Sequence, residues 1–247
     1  MNGFKSILIA SVYFVVSSCS CLHAENTKYA KSWVSTLPPE FQETVLWYAD
    51  HEEGTFYDWE YDDPENSGGG IFNTGSDEEA YARVVSGIAF SGEHSVQASI
   101  SRAYRSKNGN RAVRLMRWTD KPWKEGGKHF PRKAYYSTWM MIPENYNPNK
   151  EAPWDPGDGG WWNIFQFKSD NRKGESDPVW VLNIMRNVET KGMHLYLYSE
   201  KNKQHSYEIK SAPLPVGEWF HIEVFYKQST PYKKNGELAF WLDGELA

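Results

Sequence analysis

In GGWWNIFQFKSD, residues 159–170, two adjacent tryptophans open onto a run in which Phe165 and Phe167 alternate with Gln166 and Lys168. Successive residues of a strand face opposite sides of a sheet. With the two phenylalanines in a core, Trp162, Gln166 and Lys168 share the other face. The same rule turns Val181, Asn183 and Met185 outward in VWVLNIMRN when Leu182 and Ile184 go inward. It groups His194, Tyr196 and Tyr198 in MHLYLYS, and in RAVRLMRW it sets Val113 and Leu115 inward and Arg114, Met116 and Trp118 outward. Side chains of these types suit an acidic sugar: rings stack on its C–H faces, Arg and Lys pair with a uronate or sulfate, and Gln and Asn read hydroxyls. They can also remove the proton at C5 of a uronate. That step needs the carboxylate charge quenched, by Arg, Gln or Asn, and a base within reach, for which His, Lys and Tyr all qualify; a tyrosine can return the proton to the leaving oxygen.

These faces require strands to carry them. Apolar alternations of five to eight residues, separated by Gly, Pro, Asn and Asp clusters, predict strands over 45–50, 81–86, 94–101, 111–118, 134–142, 162–168, 179–186, 193–199, 205–210, 218–227 and 237–242. No helical period interrupts them, so residues 45–247 read as one all-β sandwich. The Pro- and Gly-rich loop 144–160 leads directly into Trp161 and Trp162 and presents them as a binding platform. Residues 25–44 read as a linker with a short helix starting near Pro39. In GELAFWLDGELA a strand, an Asp243-Gly244 turn and a return strand of three residues come in succession. That pattern predicts closing strands on a longer reading frame, which would carry any further site residues.

The 12 Trp, 15 Tyr and 12 Phe exceed what one core requires, which again points to ligand-facing rings. A net charge of −5 argues against a general nucleic-acid binder. Residues 1–24 have the lysine-bearing start, apolar centre and small-residue end of a secretory signal peptide, so the protein is expected to be secreted, periplasmic or at the cell surface. Both cysteines lie in that segment. Val16-Ser17-Ser18-Cys19 also resembles a bacterial lipobox, in which Cys19 would be the lipid-anchored first residue. No protein partner is indicated.

RAVRLMRW, YYSTWMMIPENY, WWNIFQFKS, DPVWVLN, LPVGEWFHIEVFY and FWLDG, in that order, resemble the jelly-roll polysaccharide lyases related to heparin lyase I and to the glucuronan and alginate lyases. The resemblance spans residues 45–247 and implies a concanavalin A-like jelly-roll sandwich that cleaves an acidic polysaccharide by β-elimination, with no cofactor required. The Arg-x-Glu-Leu-Arg strand of the alginate lyases has its nearest counterpart in Arg114-Leu-Met-Arg117, and their Gln-Ile-His in Gln166-Phe-Lys168. Lys168 replaces the family histidine, so the base must come from elsewhere. The strand faces, read together with the resemblance, assign Arg114, Gln166, His194, Tyr196 and Tyr198 to catalysis, and Arg117, Trp161, Trp162, Lys168 and Asn183 to substrate. The opening WYADHEEGTFYDW is similar to the start of jelly-roll carbohydrate modules, where acidic oxygens hold a structural Ca²⁺; Asp50 or Glu52 with Asp243 would form that site. A non-catalytic carbohydrate-binding module is the main rival. Glycoside hydrolysis ranks behind it: EYDDPE, residues 60–65, has a suitable carboxylate spacing, but Pro64 and the NSGGG that follows break a strand there.

Overall fold

The computed structural model describes residues 5–15, 37–74, 80–100, 105–106, 109–110, 112–144, 162–170, 176–186, 193–199, 206–208, 214–230 and 233–247. Strands dominate: β1 (Lys5–Val15), β2 (Val45–Ala49), β3 (Gly69–Thr74), β4 (Ala80–Ser86), β5 (His94–Ile100), β6 (Arg105–Ser106), β7 (Gly109–Asn110), β8 (Ala112–Arg117), β9 (Lys133–Met141), β10 (Trp162–Asp170), β11 (Ser176–Arg186), β12 (Met193–Tyr198), β13 (Ser206–Glu208), β14 (Trp219–Lys227), β15 (Glu237–Leu242) and β16 (Glu245–Leu246). Two single-turn helices interrupt them, α1 (Pro39–Gln42), with proline in its first turn, and α2 (Tyr57–Glu60). Every strand pair is antiparallel. The chain is an all-β jelly-roll sandwich.

One layer is a large sheet in the order β16-β15-β14-β9-β1-β5-β4, with β2 also paired to β1. Over it lie a four-stranded sheet, β10-β11-β12-β13, and the pair β3-β8. All three supply one core. Tyr136, Met140, Phe220, Ile222, Val224 and Phe240 rise from the large sheet to meet Leu182, Ile184 and Leu195, while Ile71 and Leu115 close the cluster from β3 and β8. Phe167 of β10 links the layers, with its ring 4.8 Å from that of Tyr136, edge-on, and stacked at 4.3 Å on that of Tyr226. Period-2 burial along β9 and β14 shows why these segments are strands: one face of each is apolar and covered, the other mixed.

Two elements were not among the predicted strands. Residues 5–15, the apolar centre of the expected leader, form β1 between β5 and β9, because a run rich in Ile, Val, Tyr and Phe satisfies a strand as well as a leader. Cys19 and the boundary at residue 24 lie outside the described residues. β3 forms across Gly69 and Gly70, where glycines argued for a break. A Cβ at Gly69 would stand 2.7 Å from Met116 O and 2.9 Å from Trp59 O, so the missing side chain is what admits the neighbouring backbone.

On the outer face of the large sheet His221 sits in a polar and aromatic cluster. Its Nε2 lies 2.6 Å from Ser137 Oγ, its Nδ1 3.7 Å from Glu223 Oε2, and its ring stacks on Trp139, which stacks in turn on Phe90. This resembles a serine–histidine–acid triad, but Ser137 sits mid-strand between Glu223 and Tyr13, so the nearby backbone N–H groups belong to a ladder and offer no oxyanion hole. The arrangement is packing.

Two outcomes follow. Phe167→Ala should lower stability by about 3 kcal/mol in denaturant unfolding, as loss of an aromatic ring between layers does. Burial holds the His221 imidazole below its ordinary pKa, against the opposing pull of Glu223 and Asp243. The unfolded chain therefore binds the proton first as pH falls, and stability declines below about pH 6.5. Melting temperature should fall less between pH 7 and pH 5 in His221→Gln than in wild type.

Candidate functional site

The outer face of β10, β11 and β12 gathers most of the expected polar groups. β11 lies between the other two, and its register fixes the rows: Gln166 opposes Val181, which opposes Tyr198; Asn183 opposes Tyr196; Met185 opposes His194. Gln166, Asn183, His194, Tyr196 and Tyr198 thus share one face of three adjacent strands, while Lys168 lies beyond a second register shift and pairs with Pro178. Asn183 forms the floor on the central strand, only 3% exposed, and its Oδ1 is buried with no hydrogen-bond partner. The four others and Lys168 are half-buried. Adjacent rows place opposed Cβ atoms about 5 Å apart, so Asn183 and Tyr196 can contact the same sugar ring.

Strict alternation also fails near the start of β10. Asn163 opposes Asn183 and Phe165 opposes Leu182, so Ile164 is the extra residue of a β-bulge. Trp162 is in register with Ile184 and Asn163 with Asn183, so Asn163 shares the row of Asn183. Its Nδ2 donates to Gln166 Oε1 at 3.0 Å, which puts both amides on the cleft side. A bulge is a property of strand pairing, and nothing in the one-strand pattern WWNIFQF announces it. Trp161 and the side chain of Trp162 lie outside the described residues.

The arginines separate. Arg114 stands on β8 opposite Phe72, half-buried, with Trp118 packed on Phe72 along the same outer face. Its sheet is distinct from that of Gln166. Arg117 belongs to the inner face with Leu115, two residues away. Nε donates to Thr119 O at 2.6 Å, Nη1 to Trp59 O at 3.2 Å and Nη2 to Tyr61 Oη at 3.3 Å, with the guanidinium 4.7 Å from the Tyr61 ring and 5.6 Å from the Trp47 ring. Burial lowers the Arg117 pKa and pushes the Tyr61 phenol up to about 12. Arg117 therefore braces the core, and its hydrogen bonds oppose the substrate role expected of it.

The expected calcium ligands are likewise used by the fold. Asp50 Oδ1 accepts from Glu52 N, the Glu52 carboxylate accepts from Glu93 N and His94 N, and Asp243 Oδ1 accepts from His221 N at 2.7 Å. Among the described residues no three His, Cys, Asp or Glu side chains gather as a metal site.

A polar strand face of amides, phenols and an imidazole on an antiparallel jelly roll is the setting, and the chain matches the polysaccharide lyase family over residues 51–247. The chain belongs to the polysaccharide lyase family. That match begins at the buried His51, whose Nε2 accepts from Trp59 Nε1 at 3.0 Å, and takes in every strand of the cleft. No curated protein and no solved structure matches the chain. The polar face follows from its own register, and its central strand is backed by the core and flanked by strands on both edges.

Arg117 and the cleft amides should respond differently to mutation. Arg117→Met leaves Trp59 O and Tyr61 Oη without their donor, and is expected to cost about 3 kcal/mol of stability, read from thermal unfolding, with turnover per folded molecule changed less than threefold. A lyase whose turnover collapses while its melting temperature holds would return Arg117 to the substrate site.

Proposed function

We propose that this lyase cleaves a uronate-containing polysaccharide by β-elimination on the outer face of β10, β11 and β12. The observation that carries the reading is the register that sets Asn183 directly opposite Tyr196, with Gln166 and Tyr198 in the adjoining row. In a uronate, C5 bears both the acidic proton and the carboxylate, so the group that neutralises the carboxylate and the base that takes the proton must stand side by side. Asn183 and Gln166 supply amide N–H donors to the carboxylate, and Lys168, two residues along β10 from Gln166, adds positive charge at that end of the strand. Tyr196, as phenolate, takes the C5 proton; the electron pair forms the C4–C5 double bond, the C4–O4 bond breaks, and O4 receives a proton. His194 and Tyr198 flank Tyr196 at i−2 and i+2 and are available to stabilise its ionised form or to protonate O4. Arg114, on the neighbouring pair of strands, is assigned to a sugar further along the chain. No step requires a metal or organic cofactor.

The test is the absorbance of the unsaturated uronate near 230 nm on heparin, alginate, glucuronan and hyaluronan. Growth of that band on one of these polymers is expected. Retention of a polymer without the band would instead make this face a binding module. Asn183→Ala and Gln166→Ala should each slow turnover by about 10²-fold, as removal of an oxyanion donor does. Tyr196→Phe should abolish it, and Tyr198→Phe and His194→Ala should leave measurable rates. Full activity in Tyr196→Phe would remove that residue from the chemistry.

A further inference from the structure

The bulge at Ile164 places Asn163 and Gln166, three residues apart in sequence, on one face, and joins them by a single hydrogen bond from Asn163 Nδ2 to Gln166 Oε1. A glutamine side chain ends in an acceptor and a two-hydrogen donor, and rotation by half a turn exchanges them. An unrestrained Gln166 would offer either end to a ligand. Asn163 removes that ambiguity: with Oε1 engaged, Nε2 and its hydrogens are left for the cleft. An ionised carboxylate is acceptor-only, so it matches this orientation and would be repelled by the opposite one. The floor residue Asn183, opposite Asn163 and with a buried unpaired Oδ1, makes the cleft short of donors and gives Gln166's orientation added weight.

We propose that Asn163 is a positioning residue that fixes the side-chain amide of Gln166 with its N–H groups toward the cleft, and thereby selects a carboxylate-bearing sugar over its uncharged counterpart. The inference rests on the β-elimination reading, since it assigns the carboxylate to that face. Asn163 itself touches no reacting atom. It acts through Gln166.

The test is a double-mutant cycle on binding of a uronate oligosaccharide and of the same oligosaccharide with its carboxyl groups reduced to alcohols, followed by titration calorimetry. Asn163→Asp turns the partner of Gln166 into an acceptor, which draws Nε2 away from the cleft and presents Oε1 to the ligand. It is expected to weaken binding of the uronate by 10-fold to about 100-fold, the range for a hydrogen bond to a charged group, and to leave the reduced oligosaccharide within about threefold. Asn163→Leu, which frees the amide without adding charge, should fall between wild type and Asn163→Asp. In a Gln166→Ala background the Asn163→Asp change should have little further effect, because its action passes through the missing amide. If Asn163→Asp weakens uronate binding equally with and without Gln166, direct charge repulsion is responsible and the proposal fails. If both oligosaccharides lose affinity alike, Asn163 is merely structural and the proposal also fails. A wild-type lyase that binds the reduced oligosaccharide more tightly than the uronate overturns the β-elimination reading together with this one.

Discussion

Phe167 carries the geometry of the cleft, although it never faces it. Its ring lies between those of Tyr136 and Tyr226 on the large sheet, so β10 cannot rotate about its axis without losing an aromatic contact in the middle of the sandwich. Alternation then leaves Gln166 no choice of side. β11 and β12 are held in the same way by Leu182, Ile184 and Leu195, and the ladder transmits the setting from strand to strand. The chemistry of the face is thus fixed from beneath, by side chains whose own role is apolar. A soft amide or phenol can be aimed to within a fraction of an ångström only because the residue behind it is clamped.

Charged residues in this lyase divide by what they hold. Arg117 binds three backbone or phenol oxygens at the junction of α2, β3 and β8, Glu52 secures the start of β5, and Asp243 secures the start of β14. Each closes a loop onto a strand end, where backbone N–H and C=O groups would otherwise be unpaired. The cleft, by contrast, is built mainly from neutral donors and acceptors. Such a surface stays hydrated at little cost.

Much of this was legible in the sequence, and the reasons differ by element. Strands such as AYYSTWMM and WFHIEVFY announce themselves because one face is apolar at every second position, and MHLYLY sorts its His and Tyr residues correctly for the same cause. The faces assigned to Gln166, Asn183 and Tyr196 follow from that period alone. Pairing does not: the bulge at Ile164, which moves Trp162 into register with Ile184 and brings Asn163 into the row of Asn183, exists only between two strands. Arg117 was assigned to substrate through the Arg114-Leu-Met-Arg117 resemblance, which carries no information on the three oxygens its guanidinium reaches, although its spacing from Leu115 already placed it on the inner face. β3 was hidden by Gly69 and Gly70, whose absent side chains serve a close backbone approach that no single-strand pattern records.

The place of residues 5–15 also sets a clock. As β1 they pair with β5 and β9, segments that begin 94 and 133 residues into the chain, and with β2. At about 5–20 residues per second, those partners follow the first strand from the ribosome by several seconds or more, and non-local antiparallel pairing is itself slow. During that interval the apolar run is unsatisfied and available. Once β5 and β9 have closed on either side, the same residues lie in the middle of a sheet, so anything that binds the run in its unpaired form has only that interval in which to act.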